Sequence, residues 1–520
     1  MDLTNTFFGQ NAELPKDVTP PTLKSMPEKV IQFGEGNFLR AFVDWMIERM
    51  NRQGIFNGRV VVVQPIEHGL VDTLNAQDGL FTLILRGLSD GRTVESKEII
   101  ASISRGLNPY SQWSQFLQCA ENPDLRIVVS NTTEAGIVYN DEPFTPDRVQ
   151  VSFPAKLTAF LYRRFTHFQA GAGKGLLIFP CELIDQNGTN LRAIVLRLAQ
   201  QWQLPDAFVD WVQRHNHFFN TLVDRIVTGY PKDDMDDLGR TLGYRDRLVD
   251  TGEIFHLWVI EGDKRFQEEF PLADIGLNVI WTDDLKPYRE RKVRVLNGAH
   301  TMTFAAALLS GQDTVKEAVD DEVLGQFMRR GIFEEILPVL SLPEQEKRSF
   351  ADSVLERFQN PFIHHRWADI ALNSVSKFKT RCLPSITDYA AKMGTSPALL
   401  SFSLAALIVY YKGKSFIEGR LEAQRPQGSY RVCDDLEVLE FFYNSWNFYN
   451  AWDAIGPKNG NALETIVARV LANTHIWGLD LNTLPALTSR VTQSVRSILS
   501  DGMRTAMVDL MEKTERHYDQ

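Results

Sequence analysis

A lysine, an asparagine and a histidine with chemistry to offer follow one another closely in this sequence, as Lys292, Asn297 and His300. Read as an α-helix with about 100° of rotation per residue, the stretch places them at roughly 0°, 140° and 80° around the axis. The apolar side chains of Val293 and Leu296 fall on the same arc. Since desolvation disfavours a charged ammonium, we expect the pKa of Lys292 to fall toward neutrality, as a general base requires.

The same helix also fits a structural role. Lys292 would then extend its ammonium to solvent along an apolar stem, while Asn297 and His300 pair with buried backbone. The helix alone leaves both roles open, and the choice between them depends on the segments that surround it.

Composition limits the classes of partner. The 520 residues suit two to three domains, and the net charge of -11 leaves no basic excess for nucleic-acid phosphates. His215 and His217 resemble a metal pair, but nothing nearby completes a ligand set and no HExxH occurs. We therefore expect surface histidines, no metal and no nucleic-acid partner.

Four scattered cysteines predict a reducing, cytoplasmic setting, because their spacing fits neither a disulfide framework nor a CxxC site. The N-terminus lacks the basic and apolar regions of a signal peptide. The most apolar run, Leu399 to Tyr411, is too short to span a bilayer and is typical of a buried helix. No membrane association is expected.

A strand, a glycine turn and an amphipathic helix open the first half of the chain. The strand Lys29–Phe33 runs into Gly34-x-Gly36, and apolar residues then recur at helical spacing from Phe38. This order is typical of a dinucleotide-binding βαβ unit, in which the glycines let a pyrophosphate approach the helix N-terminus. The third glycine of that fingerprint is replaced by Leu39.

The next strand, Arg59–Gln64, is an unbroken β-branched run typical of parallel sheets. It does not end in the acidic residue that usually binds the adenosine ribose. Glu67 follows three residues later and is equally consistent with a solvated loop residue. The residues alone therefore leave NAD and NADP open.

Two further strands, Arg126–Ser130 and Gly175–Pro180, run into polar segments where open α/β sheets bind ligands. Helical periodicity covers 191–202 and 207–227, and 254–260 and 277–281 are strand-like. Beyond about residue 285 helical patterns dominate. We predict an α/β fold with a Rossmann-like domain over 1–285 and a mainly α-helical domain over 286–520.

With these pieces in view, the sequence resembles the mannitol dehydrogenase group of polyol-specific long-chain dehydrogenases. The resemblance is carried by Lys292-x4-Asn297-x2-His300 and by Gly34-x-Gly36-x-Phe38-x-Arg40. Longer matching blocks are Ile31–Trp45, Ser130–Gly136, Pro180–Ile184, Val223–Pro231 and Arg291–Thr301. Leu39 and Phe42 stand where the mannitol and mannonate branches have histidines, which favours the uronate branch.

This resemblance implies zinc-independent, reversible hydride transfer between NAD(H) and the carbonyl of a small sugar acid. Lys292 would be the general acid/base, Asn297 and Asn187 would hold the oxyanion, and His300 would orient substrate and lysine. Asn187 also fits a plain Asn-Gly turn. The cofactor-binding residues would be Phe33, Gly34, Gly36, Asn37, Phe38, Glu67, Asn131, Thr132 and Glu134.

A sugar acid also needs a cation for its carboxylate. Lys377, Lys379 and Arg381 are the candidates in the helical half, above all Lys377 and Arg381, although a solvated basic helix end would look the same. Asp224 and Arg225 match a family block and would line the substrate site or form an internal ion pair.

Three other functions stay open at this point. One is a dehydrogenase of the same kind that reduces a different uronate or a simple ketose. Another is an epimerase that uses bound NAD transiently. A nucleotide-sensing protein without chemistry is disfavoured by the intact lysine, asparagine and histidine set.

Overall fold

A computed structural model describes residues 1–9, 13–133, 135–232, 235–455 and 461–518. By internal contacts the chain divides into two compact units, Met1–Leu285 and Lys286–Gln520. The predicted fold class is confirmed, since a Rossmann-type α/β unit is followed by a mainly helical one.

A six-stranded parallel sheet forms the centre of the first unit. Its strands are β1 (Glu28–Phe33), β2 (Arg59–Val63), β3 (Ile103–Leu107), β4 (Ile127–Ser130), β5 (Leu177–Pro180) and β6 (His217–Phe218). They are ordered 3-2-1-4-5-6, which is the order of dinucleotide-binding Rossmann folds. Val60 and Val62 enter the core on one face of the sheet, and Val61 and Val63 enter it on the other. Burial on both faces explains the unbroken β-branched run of β2.

The register of these strands aligns their carboxyl ends. Phe33 of β1 lies opposite Val63 of β2 and Ser130 of β4, and Ser130 lies opposite Pro180 of β5. The loops that follow the four strands therefore leave from one edge of the sheet, where folds of this type bind their ligands.

Helices connect the strands of the main sheet. They are Asn37–Leu39, Arg40–Asp44 (a π-helical segment), Trp45–Arg52, Val71–Ala76, Pro109–Cys119, Phe153–His167, Asn187–Gln201 and Asp206–His215. Further helices of this unit are Asn5–Gly9, Ala172–Lys174, Met235–Leu242, Lys264–Glu268 and Leu272–Ile275.

Two smaller sheets complete the first unit, and they correct part of the sequence prediction. One is ordered Val18–Thr19, Arg92–Ile100, Phe81–Ser89 and Asp250–Glu253, and the other Asn220–Asp224, Leu257–Glu261 and Val279–Thr282. The helix predicted over 207–227 is wrong beyond His215, because Asn220–Asp224 pairs antiparallel with Leu257–Glu261. The hairpin of Phe81–Ser89 and Arg92–Ile100 was not predicted.

The second unit is mainly helical. Its helices are Lys286–Arg291, Lys292–Asn297 (π), Gly298–Leu309, Val315–Asp320, Glu322–Arg330, Gly331–Ile336 (π), Leu337–Val339, Glu344–Phe358, Trp367–Ile370, Ser374–Arg381, Leu383–Met393, Ala398–Tyr410, Leu436–Ile455, Asn461–Leu471, Thr474–Trp477, Leu481–Thr483, Leu487–Asp501 and Met503–Tyr518. An antiparallel sheet of Gly413–Ile417, Arg420–Arg425 and Gly428–Val432 interrupts them.

The apolar helix Ala398–Tyr410 forms the centre of this unit. It packs against Gly298–Leu309 on one side and Leu487–Asp501 on another, and almost all of its side chains are buried. Among the described residues, no helix combines the length and apolarity that a membrane crossing requires.

Candidate active site

Three consecutive segments form the helix that carries the predicted catalytic residues, Lys286–Leu309, which we term the Lys292 helix. An α-helical turn, Lys286–Arg291, leads into the π-helical segment Lys292–Asn297, and the α-helix resumes at Gly298. The N–H of Gly298 donates to the carbonyl of Val293, five residues earlier. Because such a turn holds more residues than an α-turn, the arc estimated at 100° per residue is wrong across this segment.

Lys292 and Asn297 bound the π segment, and both are half-buried. Single-turn π segments inside α-helices occur often at functional sites. The structure therefore places the lysine and the amide on one locally widened turn. The expected low pKa of Lys292 stays a prediction.

His300 lies one turn further along and is buried, with 6% of its surface exposed. Its ring centroid lies 4.3 Å from that of Phe358 and 4.9 Å from that of His365. Within the described part of the chain, its Nε2 is buried and has no hydrogen-bond partner. Burial holds the pKa of His300 well below its usual value, and the nearby positive charges of His365 and Arg357 act in the same direction.

Four basic side chains lie close enough to His300 to lower its pKa, and we term Arg357, His365, Lys377 and Arg381 the cationic cluster. Arg381 donates from Nη1 to Thr301 Oγ1 at 3.4 Å, and Lys377 donates from Nζ to the Ile370 carbonyl at 2.8 Å. Burial lowers the pKa of Arg381 and of Lys377, and the guanidinium lowers that of Lys377 further.

The helix that carries Arg381 packs against the Lys292 helix at Gly298. A Cβ built on Gly298 would lie 3.4 Å from the Arg381 carbonyl oxygen, and the Cys382 thiol donates to the Gly298 carbonyl at 3.6 Å. The helix Ser374–Arg381 and the Lys292 helix are therefore in contact at Gly298.

Two members of the cluster were predicted from the sequence, and two were not. Lys377 and Arg381 are brought together at His300, whereas Arg357 and His365 come from distant positions in the chain. The His364-His365 pair was the one available signal, and spacing along a helix could not have connected it to His300. The remaining candidate, Lys379, lies instead beside Gly478.

In the first unit, the glycine turn after β1 has the geometry that the sequence predicts. Gly34 adopts a φ of +125°, and a Cβ there would lie 2.9 Å from the Asn131 carbonyl oxygen. Gly36 caps the following helix with a φ of -68°, and a Cβ there would contact nothing within 4 Å. The fold itself therefore requires glycine at position 34, while the open space above Gly36 suits a bound pyrophosphate.

The side chains around this turn divide into exposed and core positions. Asn37 is exposed, and its Oδ1 accepts a hydrogen bond of 2.6 Å from Arg40 Nη2. Phe38 stacks on Phe42 with centroids 5.0 Å apart. Phe33 is buried completely, so only its backbone is available for a cofactor.

Glu182 organises the loops that follow β4 and β5. Its buried carboxylate accepts hydrogen bonds from the Thr132 N–H and hydroxyl, both at 3.0 Å, and from the Ser130 hydroxyl. Asn131 donates from Nδ2 to the Cys181 carbonyl at 2.8 Å. Thr132 and Asn131 thus lie at the predicted edge of the sheet, and Glu134 lies outside the described residues.

The loop after β2 is built around Gln64. This buried amide donates to the carbonyls of Ile66 and Glu67, both at 2.9 Å, and accepts from the Val71 N–H at 3.3 Å. The Glu67 side chain is exposed. Its predicted contact with a cofactor stays a prediction.

Asn187 is buried and makes its hydrogen bonds with backbone groups. Its Nδ2 donates to the carbonyls of Pro180, Glu182 and Thr221 at 3.0 to 3.2 Å. Its Oδ1 accepts from the N–H groups of Gly188 and Thr221, both at 2.9 Å. These bonds describe a structural role, and the predicted donation to an oxyanion would require the amide to exchange a partner.

Asp224 and Arg225 are both buried at the end of the strand Asn220–Asp224. The Arg225 guanidinium donates to the carbonyls of Ala41, Ile254 and Phe255, and it lies 4.2 Å from the centroid of the Trp45 ring. Arg225 therefore stabilises the core, and the predicted contact of Asp224 with substrate stays a prediction.

No group of three His, Cys, Asp or Glu side chains that could hold a metal ion occurs among the described residues.

Two family models match almost the whole chain. The mannitol dehydrogenase Rossmann domain matches residues 28–274, and the mannitol dehydrogenase C-terminal domain matches residues 284–499.

Curated relatives are similar over most of their length. The chain is 47% identical over 489 residues to an altronate oxidoreductase of Halalkalibacterium halodurans, covering 94% of both chains. It is 46% identical over 486 residues to an altronate oxidoreductase of Yersinia enterocolitica, covering 93% of this chain and 97% of the relative.

Among solved structures, a D-sorbitol dehydrogenase in substrate-free form is similar with a TM-score of 0.77 and 20% identity, covering 98% of this chain and 100% of the other. The mannitol 2-dehydrogenase of Pseudomonas fluorescens, in complex with NAD and D-mannitol, has a TM-score of 0.65 at 23% identity, covering 99% and 100%. At these identities the structures support the fold.

Proposed function

Because this chain belongs to the mannitol dehydrogenase family, we propose that it is an NAD-dependent oxidoreductase that interconverts D-altronate and D-tagaturonate. Identity of 47% to an altronate oxidoreductase over 94% of the chain supports this substrate pair. The observation that carries the proposal is the cationic cluster around buried His300, beside the turn that holds Lys292 and Asn297. A polyol has no charge for such a cluster to bind, whereas a sugar acid carries a carboxylate.

The first unit fits a dinucleotide. Gly34 forms the turn after β1, and Gly36 leaves open space at the start of the next helix. Asn37 and Phe38 begin that helix, whose N-terminus would face the pyrophosphate. Asn131 and Thr132 follow β4 at the same edge of the sheet. When bound, NAD supplies the nicotinamide that accepts or returns the hydride.

Lys292 acts as the general acid/base in this proposal. It takes the proton of the reacting hydroxyl of altronate and returns a proton to the developing alkoxide of tagaturonate. Asn297, on the same widened turn, donates a hydrogen bond to that oxygen, and charge that develops there is stabilised by a donor already in place. His300 stays neutral because its pKa is held low, so its Nε2 can donate to or accept from a substrate hydroxyl.

The cationic cluster binds the substrate carboxylate. Arg381 and Lys377 carry positive charge into a half-buried setting that lowers the pKa of each, and a carboxylate would offset this cost through charge-assisted hydrogen bonds. Arg357 adds positive potential beside His300. Burial lowers the pKa of His365 and favours its neutral imidazole, which can still donate a hydrogen bond. Two described carboxylates oppose these shifts: the charge of Asp434 raises the pKa of Lys377, and the charge of Asp369 raises the pKa of His365.

The reducing cytoplasm is the compartment we propose. All four cysteines are free thiols in the structure, and three of them are buried. Unpaired buried thiols suit a reducing compartment.

The test is loss of NADH absorbance with purified protein, using tagaturonate, fructuronate and fructose side by side. We expect rapid oxidation of NADH with tagaturonate and slow oxidation with the other two. Faster reaction with fructuronate or fructose would move the assignment to another branch of the family. No reaction with any of them would overturn the proposed function.

A further inference from the structure

Glu35 occupies an unusual position between the two glycines of the turn after β1. Its side chain extends to the loop that follows β2, where Oε1 accepts a hydrogen bond of 3.4 Å from the Leu70 N–H. A Cβ built on Gly69 would lie only 2.1 Å from the same oxygen. The carboxylate therefore joins the glycine turn to the β2 loop, and glycine at position 69 is what leaves room for it.

The β2 loop itself does not offer the usual acid. In Rossmann folds an Asp or Glu at the end of the second strand binds the 2′-hydroxyl of the adenosine ribose. Here that strand is followed by Gln64. Its amide donates to the carbonyls of Ile66 and Glu67 and accepts from the Val71 N–H. Glu67 is the next acid along the chain, and its side chain is exposed.

The surroundings of Glu35 are those of a functional carboxylate. It is half-buried, and burial raises its pKa although its own N–H, the Leu70 N–H and the charge of Arg40 oppose that shift. A carboxylate offers about four acceptor sites, so the hydroxyls of a ribose can still bind when two N–H groups are already paired. A phosphate at the same point would be repelled by its like charge.

We propose that Glu35, delivered from the glycine turn, is the carboxylate that binds the adenosine ribose hydroxyls and disfavours a 2′-phosphate in this enzyme. This inference rests on the proposed function, since it assumes that a nicotinamide dinucleotide binds above β1. It assigns the preference for NAD over NADP to the first loop of the sheet instead of the second.

The test measures binding without any sugar acid, by titrating NADH and NADPH into the full-length protein and following nicotinamide fluorescence. In Glu35→Gln, we expect NADH affinity to fall roughly tenfold or more, the usual effect of losing hydrogen bonds to a charged group, with NADPH affinity unchanged or improved. Gly69→Ala should shift the ratio of the two affinities in the same direction, because the new methyl group would lie 2.1 Å from Glu35 Oε1. The same methyl group would lie 2.7 Å from the Gln64 amide, so Glu35→Gln is the variant that isolates the carboxylate. Thermal unfolding checks that each variant is folded.

Two further variants separate the alternatives. Asp72→Asn removes an exposed carboxylate just beyond the same loop, and it should leave the ratio unchanged if the position of the charge matters. Glu67→Gln tests the acid that the sequence favours. A ratio that moves in Glu67→Gln and stays fixed in Glu35→Gln and Gly69→Ala would overturn the inference alone. Absence of binding of either nucleotide to the unmodified protein would overturn the proposed function with it.

Discussion

Replacement of Arg381 by glutamine tests the part of the site that distinguishes a sugar acid from a polyol. Arg381 contacts Thr301, the neighbour of His300, and burial lowers the pKa of its guanidinium. A charge held in such a setting costs free energy unless an anion offsets it. We therefore expect Arg381 to contribute to substrate binding and little to the reaction of the carbonyl itself.

The magnitude follows from the bond that is lost. A hydrogen bond to a charged group contributes about 1.5–3 kcal/mol, so kcat/KM for tagaturonate should fall roughly 10- to 150-fold in Arg381→Gln. Fructose has no carboxylate, so its slow reaction should change by less than about threefold on the same scale. The assay is NADH consumption with each substrate at subsaturating concentration.

Lys379→Gln is the matched control, since Lys379 lies two residues earlier on the same helix and faces Gly478. It removes one positive charge from the helix without touching the cationic cluster. Equal losses of kcat/KM on tagaturonate and fructose in Arg381→Gln would refute the assignment. So would a loss in Lys379→Gln as large as that in Arg381→Gln.

Three further predictions address the base, the glycine turn and a buried acid. Lys292→Ala should lower kcat by roughly 10²- to 10⁴-fold while NADH binding, measured by fluorescence, is unchanged; near-normal turnover would exclude the lysine as base. Gly36→Ala should weaken NADH binding and leave Tm unchanged, since a Cβ there contacts nothing, whereas Gly34→Ala should lower Tm because its φ is positive and a carbonyl oxygen lies 2.9 Å away; equal effects on Tm would contradict this reading. Burial raises the pKa of Glu335 from 4.5 to about 7, so the native state binds the extra proton between these values and loses stability as pH rises through them. The Tm of Glu335→Gln minus that of the unmodified protein should therefore increase from pH 5 to pH 8. A difference in Tm that does not change with pH would refute the raised pKa of Glu335.

The sheet could be predicted where local pattern and final environment agree. The run Arg59–Val63 is β-branched because both faces of β2 are buried, and that environment leaves a direct trace in the sequence. The hairpin at 81–100 also had its signal, since Asp90 and Gly91 form a turn pair with positive φ at both positions. The strand Asn220–Asp224 had no such signal, because its apolar residues suit a helix equally well and pairing with Leu257–Glu261 decides between them.

The candidate site likewise contains residues that could be predicted from the sequence and residues that could not. Lys292, Asn297 and His300 were visible because they share one helix. Arg357 and His365 were not, because they meet His300 only through the packing of distant segments. The π segment was also hidden, because six residues with helical propensity do not reveal whether their N–H groups bond four or five residues back.

That segment allows a direct test of why the turn is wide. It holds one residue more than an α-turn would, so deletion of Val293 should restore regular α-helix while Gly298–Leu309 keeps its packing. Lys292 would then rotate by about 100° relative to His300, and turnover should fall as far as in Lys292→Ala with NADH binding preserved. Val293→Ala keeps the residue count and should retain most of the turnover. An active deletion variant would show that the widened turn does not set the position of the lysine, and the geometry proposed for the site would have to be abandoned.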